Sequence, residues 1–404
     1  MTAEDAPTAL HRLRQDNAER VLGCLRERGE LSRAEVAERS GLSRTTLSAI
    51  LGDLLRRGVV VETERAPSNR RGRPTSGLVL NPATGQYLGL ELGRNRLRLV
   101  LADAAHRVRA RADLPYGAAR SAADRLALAE RAVREAAAGH GISLDSLAGI
   151  GVGSTGPGEL VLAPAGGLAE HAPRGRELVA DRLARAFGAP VGVDNNTRLT
   201  ALAEATWGAA TGAADLLYAH FSHGVGGGLI IGGQLVRGTG GVAAELGHLP
   251  VAEDGPDCWC GGRGCLERYA SVPALLRATG HRRWSVLRAA AERPGPEREA
   301  IRAAGTRAGA ALAALCTAVN PGRVLLGGEL ADLGEPFAEP LRTSFAERGM
   351  RSLRGVGFGT ATTAPWGGAL GGLALALRES PLLARYPLPG PGDPGPSVPA
   401  ATGS

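Results

Sequence analysis

Twice along this chain, a run of β-forming residues stops at a glycine-rich turn and is followed by further strand and helix patterns. The first run is YLGLELGRN at 87–95, and the second is LLYAHFSHGVGGG at 216–228. Continuous apolar runs that end at glycine are what buried strands look like in sequence. After the first come RLRLVLAD, a helical stretch over 120–138, AGIGVGSTGPG, a second helical stretch over 175–188 and the buried strand APVGVDNN. Strand and helix in alternation, met twice, predict two α/β lobes with a cleft between them. A helical stretch over 298–318 then leads into RVLLGGEL, a short strand ending at Gly327 and Gly328. At 404 residues the chain has room for both lobes and for a further domain.

That domain lies in front. Residues 17–57 read as three short helices, the first with Val21, Leu22 and Leu25 at helical spacing. Ser32 followed by Glu35 is a capping box, opening a helix through Arg39. Gly41 supplies the turn and Ser43 the N-cap of a third helix. There Leu42, Leu47, Ile50, Leu51 and Leu54 form one apolar stripe, and Gly58 ends it. GVVVETE and SGLVLNP follow as two strands joined by a polar loop, which completes a winged helix-turn-helix. In such a unit the start of the second helix of the motif enters the major groove. Arg44, Thr45 and Ser48 would meet base edges, and Thr46 a phosphate.

Charge sharpens this. All 47 basic side chains are arginine, and the chain carries +7 overall, an excess too small to imply nucleic acid by itself. Residues 1–80 hold 14 arginines against 11 acids, yet between Arg65 and Leu80 there are four arginines and no acid. The excess is therefore focused on the loop that holds Arg70, Arg71 and Arg73. Arg71-Gly72-Arg73-Pro74 suits a narrow A·T minor groove, since glycine permits close approach and proline keeps the chain extended. Aromatic residues make up only 3%, which argues against a single-strand binder that stacks bases.

No apolar run reaches the roughly 18 residues of a membrane span. The first residues are polar, unlike a secretory signal, so the chain is expected to be cytoplasmic, with no membrane partner. Five cysteines with one tight cluster fit reduced thiols and a metal better than a disulfide framework. Cys258, Cys260 and Cys265 follow His248, the first of them ten residues after it. One nitrogen and three thiolates complete a tetrahedral zinc shell and leave no position for a reactive water, so the zinc would be structural. It would fix the loop and aim its neighbours Glu245 and Glu267.

Taken together, these motifs resemble the ROK family (repressors, open reading frames and kinases), in its transcriptional-regulator branch. The resemblance covers residues 15 to about 380. It rests on the winged helix with its R-G-R-P wing, GIGVGSTGPG, VDNN, HGVGGGLIIGGQLVRGTGGVAAELGH and CWCGGRGCLERYAS. It implies an N-terminal winged helix-turn-helix followed by a two-lobed α/β domain of actin/hexokinase-like (ribonuclease H-like) fold, with a carbohydrate in the cleft. The expected divisions are 1–82 for the DNA-binding domain, 83–205 for the first lobe and 206–385 for the second, zinc-bearing lobe. Packing of the last helix on the first lobe is allowed for, and residues 386–404 form a Pro/Gly-rich tail expected to be disordered. The family's sugar contacts fall on Asn195, Glu245, His248 and Glu267, with Asn196 beside them. His248 would give one ring nitrogen to zinc and turn the other to the sugar.

The resemblance also implies what a kinase would need, and each part departs from it. Where active members pair Asn with Asp, the Asp being the base, this chain has Asn195-Asn196. An amide does not take a proton at neutral pH. The first phosphate loop, Asp-x-Gly-Gly-Thr in kinases, reads Glu91-Leu92-Gly93-Arg94-Asn95, and the second has Ser222-His223-Gly224 for Gly-Thr-Gly. The expectation is a non-enzyme. It would be a repressor of carbohydrate uptake or catabolism genes, a homodimer or homotetramer on a double-stranded operator, released by a sugar. A kinase with residual activity and an activator with a vestigial cleft are the alternatives.

Overall fold

The computed structural model describes residues 17–18, 20–25, 30–56, 58–63, 77–81, 85–117, 121–155 and 172–380. At the front, helical residues 20–25 (α1) bury Val21, Leu22 and Leu25. The capping box opens α2 (Arg33–Ser40): Ser32 Oγ accepts from the N–H of Glu35, and Glu35 accepts from the N–H of Ser32. Two donors at the start of a helix are thereby satisfied locally. Gly41 closes α2 at φ 65°, a left-handed conformation that glycine adopts without strain. Ser43 Oγ accepts from the N–H of Thr46, and α3 (Arg44–Arg56) buries Leu47, Leu51 and Leu54 against the other two helices. β1 (Leu31–Ser32), β2 (Val60–Thr63) and β3 (Gly77–Leu80) form an antiparallel sheet in the order β1-β3-β2. Arg70, Arg71 and Arg73, on the loop between β2 and β3, lie outside the described residues, as does the tail at 386–404.

Behind this unit stand two five-stranded sheets with the same plan. The first comprises β4 (Gln86–Leu92), β5 (Arg96–Asp103), β6 (Val108–Pro115), β7 (Leu147–Ser154) and β8 (Val191–Asn195). The second comprises β9 (Leu216–Phe221), β10 (Val225–Ile231), β11 (Gln234–Val236), β12 (Arg323–Gly327) and β13 (Gly357–Thr360). Their orders, β6-β5-β4-β7-β8 and β11-β10-β9-β12-β13, are equivalent, with three antiparallel strands followed by two parallel ones. This is the doubled α/β lobe that the repeated strand-to-glycine pattern predicts.

Helices fill three layers. α4 (Ala122–Gly139) and α5 (Ala172–Phe187) cover one face of the first sheet. α7 (Val272–Thr279), α8 (Trp284–Ala290), α9 (Pro296–Val319) and α10 (Glu335–Arg348) cover one face of the second. Between the sheets lie α6 (Asn196–Trp207) and α11 (Gly367–Glu379), packed on each other. α11 therefore returns to the first sheet although it is the last element of the chain. Its glycines make this possible: a Cβ on Gly371 would fall 1.8 Å from the carbonyl oxygen of Leu199, and one on Gly151 of β7 equally close to that of Gly372. The backbones touch directly, leaving no room for side chains. No helix among the described residues is long and apolar enough to cross a membrane.

Candidate functional site

The cleft is built around the junction of β8 and α6. Asn195 is the N-cap of α6, its Oδ1 accepting from the N–H of Thr197 (2.8 Å), the N–H of Arg198 (3.4 Å) and the hydroxyl of Thr197 (2.6 Å). That commitment sets where Asn196, the first helical residue, sits. Asn196 lies against Glu91 at the end of β4 and hydrogen-bonds its carboxylate. Burial pushes the Glu91 carboxyl up, while Arg98, 3.4 Å away, and the Asn196 amide pull it back only in part. Asn196 thus sets beside a buried acid an amide, which does not take a proton at neutral pH.

One residue earlier, Asp194 joins the lobes. It is buried, and each oxygen takes a guanidinium: Arg198 Nε donates to Oδ1 at 2.9 Å and Arg237 Nε to Oδ2 at 2.6 Å. Burial alone would raise this carboxyl, but the two arginines and the N–H of Asn195 outweigh it and hold it below the usual range. Arg237 follows β11 of the second sheet and also reaches Glu379 at the end of α11, at 3.5 Å. Arg198 Nη1 donates to the carbonyl of Ala243 (2.9 Å), in the loop that carries Glu245. Asp194, Arg198 and Arg237 thus form a clasp across the cleft. Sequence reading missed it; its one local signal is the i, i+4 pair Asp194/Arg198 at a helix start.

Beyond the clasp, Glu245 has no side-chain hydrogen bond among the described residues, and burial pushes its carboxyl up against the opposing influence of Arg198, His248 and Arg176. Glu267 is held by two donors, the N–H of Val225 (2.9 Å) and the indole Nε1 of Trp259 (2.8 Å). Trp259 stands between two of the clustered cysteines, and its ring packs edge-on against His248 at 4.6 Å. The loop thus connects the thiol cluster to Glu267 through one indole.

The cluster itself is tight. His248 and the sulfurs of Cys258, Cys260 and Cys265 offer ligand atoms that all lie within 4.8 Å of one another. Metal–sulfur bonds of about 2.3 Å and metal–nitrogen bonds of about 2.1 Å put tetrahedral neighbours about 3.6–3.8 Å apart. Cys258 Sγ and His248 Nδ1 are 3.6 Å apart, as are Cys260 Sγ and Cys265 Sγ. The residues fit a tetrahedral metal ion. Burial pushes the Cys258 thiol up and that of Cys265 up to about 12, so an ion would displace protons on entry. Nδ1 of His248 faces the sulfurs, which leaves Nε2 as the ring atom turned elsewhere.

Where a kinase would seat phosphates, this chain puts side chains. Ser222 and Gly224 close a tight turn, N–H to carbonyl at 2.9 Å, and His223 Nδ1 lies 3.6 Å from the Glu329 carboxylate. Burial opposes ionisation of Glu329, but hydrogen bonds from His223 and Ser222 outweigh it and lower its pKa to about 2. A fixed negative charge in that position disfavours a polyphosphate. On the winged helix, α3 exposes Arg44, Thr45 and Ser48, while Thr46 is half-buried with its hydroxyl 2.8 Å from that of Ser43.

Comparison with known proteins accounts for both halves. The sequence profile of the ROK family matches residues 87–379. The chain belongs to the ROK family. In front of the ROK region, a profile described as winged helix-turn-helix DNA-binding matches residues 14–61. This ROK protein is 26% identical over 353 residues to the DNA-binding transcriptional repressor Mlc of Escherichia coli K12, covering 82% of this chain and 85% of Mlc. It is 29% identical over 364 residues to the xylose repressor of Caldicellulosiruptor bescii, covering 83% and 88%. The crystal structure of a ROK family transcriptional regulator, a homologue of E. coli Mlc, superposes with a TM-score of 0.72 at 23% identity, over 90% of this chain and 95% of that one. At that identity the likeness establishes the fold.

Proposed function

We propose that this ROK protein is a sugar-responsive transcriptional repressor and not a sugar kinase. The observation that carries the reading is one chain joining an exposed recognition helix to a cleft in which an amide, Asn196, is bonded to Glu91 at the position a kinase gives to its base. Loss of a general base alone typically costs about 10²–10⁴-fold. The similarity to two repressors over more than four-fifths of their lengths, with a DNA-binding profile at the front, supports the same conclusion.

In this reading Arg44, Thr45 and Ser48 meet base edges and Thr46 a phosphate, while Arg70, Arg71 and Arg73 enter the minor groove beside them. A homodimer sets two such heads on a palindromic operator. In the cleft, Glu245, Glu267 and Nε2 of His248 bond the hydroxyls of a sugar, and Asn196 lies beside them. Asn195 contributes by placing Asn196, since its oxygen is committed to the helix cap. His248, Cys258, Cys260 and Cys265 hold a structural zinc, which fixes the loop and, through Trp259, the Glu267 carboxylate. For sugar to release DNA it must bind the non-DNA conformation more tightly, because equal affinity for both shifts nothing.

Footprinting on the DNA upstream of the chain's own coding region, with and without a panel of sugars, tests the reading. A protected site that opens with one sugar is the expected result. No protected site, or protection indifferent to every sugar, overturns it, as does ATP turnover with any hexose that Asn196→Ala abolishes.

A further inference from the structure

Among the described residues, Trp259 is the one tryptophan, tyrosine or phenylalanine that stands exposed, at 43%. An exposed apolar side chain is ordinary by itself. This one is held in place beside a carboxylate of the cleft. Its backbone lies in a tight turn, closed by the N–H of Cys258 on the carbonyl of Gly262 (2.8 Å) and the N–H of Gly261 on that of Cys258 (3.0 Å). Its indole N–H donates to Glu267 Oε1 at 2.8 Å, and the His248 ring stands almost perpendicular to it, 89° and 4.6 Å away. With its polar edge taken by the bond and at most one face by His248, the indole keeps an apolar face open to solvent.

The bond does not use up Glu267. Each of its oxygens takes one donor, Oε1 from Trp259 and Oε2 from the N–H of Val225, and a carboxylate oxygen accepts two. One carboxylate can therefore hold the indole and a ligand hydroxyl side by side. A sugar ring carries hydroxyls around its rim and C–H bonds on its faces. Asn196, Glu245, His248 and Glu267 are all polar and suit the rim; none of them suits a face. The indole does: its negatively polarised face attracts C–H bonds made positive by the oxygens next to them. Binding pockets pair such aromatic walls with a few placed polar groups. A tryptophan already anchored by its N–H also loses little freedom when a ligand lies on it.

We propose that Trp259 is a specificity-determining residue: its open indole face stacks on the C–H face of a cyclic sugar whose rim hydroxyls bond Glu267 and Nε2 of His248. The effector is then a closed ring with one face free of bulky substituents, and an open-chain polyol with the same hydroxyls is discriminated against. This rests on the sugar cleft proposed above and adds to it the residue that tells a ring from a chain.

Calorimetric titration of the full-length protein tests it with glucose, xylose, galactose, mannose and N-acetylglucosamine, each beside the alditol made from it, which keeps the hydroxyls but has no rigid face. A sugar that binds should do so about ten-fold or more tighter than its alditol. At saturation it should shield the tryptophan emission from iodide quenching, a change that Trp259→Phe abolishes. Two variants separate stacking from the bond to Glu267: Trp259→Phe keeps a ring and loses the donor, whereas Trp259→Gln keeps an amide donor and loses the ring. The ratio of sugar to alditol affinity should survive in the first and collapse toward one in the second, with the metal content unchanged in both. An alditol that binds as well as its sugar, a preference that survives Trp259→Gln, or emission indifferent to saturating sugar overturns the stack and leaves the sugar cleft standing. Equal losses for sugar and alditol in both variants overturn it too, since Trp259 would then act through Glu267 alone. If no sugar of the panel binds, the stack and the cleft fall together.

Discussion

Glu329 keeps its charge against the cost of burial. Its carboxylate lies on the turn after β12, beside the Ser222–Gly224 turn, and its pKa is lowered from an ordinary 4.5 to about 2 against the cost of burial, by bonds from His223 and Ser222. A depressed carboxyl stabilises the fold fully above its unfolded pKa and ceases to do so as pH falls through its folded pKa. Glu329 should therefore contribute to a loss of stability between about pH 4.5 and pH 2. Glu91 and Glu245, both raised by burial, act in the opposite sense and above pH 4.5, outside that window. Urea unfolding at pH 5, 4, 3 and 2 checks this: the midpoint of Glu329→Gln should decline less steeply than that of the native chain. Parallel declines would mean that the His223 and Ser222 bonds do not hold the charge. Asn196 and Glu91 could be singled out in the sequence because the family resemblance marks their positions, the one at a kinase's base and the other in its first phosphate loop. Arg198 could not, since an arginine in a helix reads as a solvated charge until the fold shows what surrounds it.

At the scale of elements, legibility followed the range of the interactions. The Ser32–Glu35 box and the Leu47–Leu51–Leu54 stripe are local, and both could be read from neighbouring residues. α11 could not. GGALGGLALAL looks like a weak helix until its glycines are seen against Leu199 and Gly151, far away in sequence. β6 was hidden as well, because VRARADLP is largely half-exposed and its arginines break the apolar alternation. The cysteine loop was the most legible element, as ligand spacing over eighteen residues (His248 to Cys265) constrains a metal site almost completely. Its role is testable by chelation. Metal removal should abolish sugar binding in calorimetry while the far-ultraviolet signal and operator binding of the winged helix persist, because the loop touches Glu267 and not α1–α3. Sugar affinity unchanged after verified metal loss would refute the positioning argument. For the wing, Arg71→Ala with Arg73→Ala should weaken operator binding and flatten the slope of log affinity against log salt by roughly one to two phosphate equivalents. An unchanged slope would place the wing off the DNA.

At the scale of the whole molecule, the proposed function requires that a sugar at Glu245 be felt at α3, and the clasp supplies a mechanical route. Asp194 and Arg198 belong to the end of the first sheet and the helix it feeds; Arg237 and Ala243 belong to the segment after β11 of the second. The same segment ends at Glu245, so a ligand that draws Glu245 inward also loads the clasp. The winged helix shares one apolar cluster with the first lobe, from Val21 and Leu51 through Leu80 and Tyr87 to Leu373 of α11, so a change in lobe angle is not absorbed by a loose tether. Charge-assisted bonds of this kind are worth about 1.5–3 kcal/mol each, or roughly ten- to a hundred-fold in an equilibrium between closed and open lobes. Arg237→Met keeps most of the side-chain volume and removes the bond from Asp194 Oδ2 and the contact with Glu379. In small-angle scattering the variant should have a larger radius of gyration than the native chain. Its affinity for a sugar identified by titration should fall by about ten-fold or more, and the sugar concentration that releases the operator should rise by the same factor, because one conformational equilibrium governs both. If sugar affinity falls while the releasing concentration stays put, the two sites do not communicate through this closure. If the dimensions and both concentrations are unchanged, Arg237 carries no part of the signal.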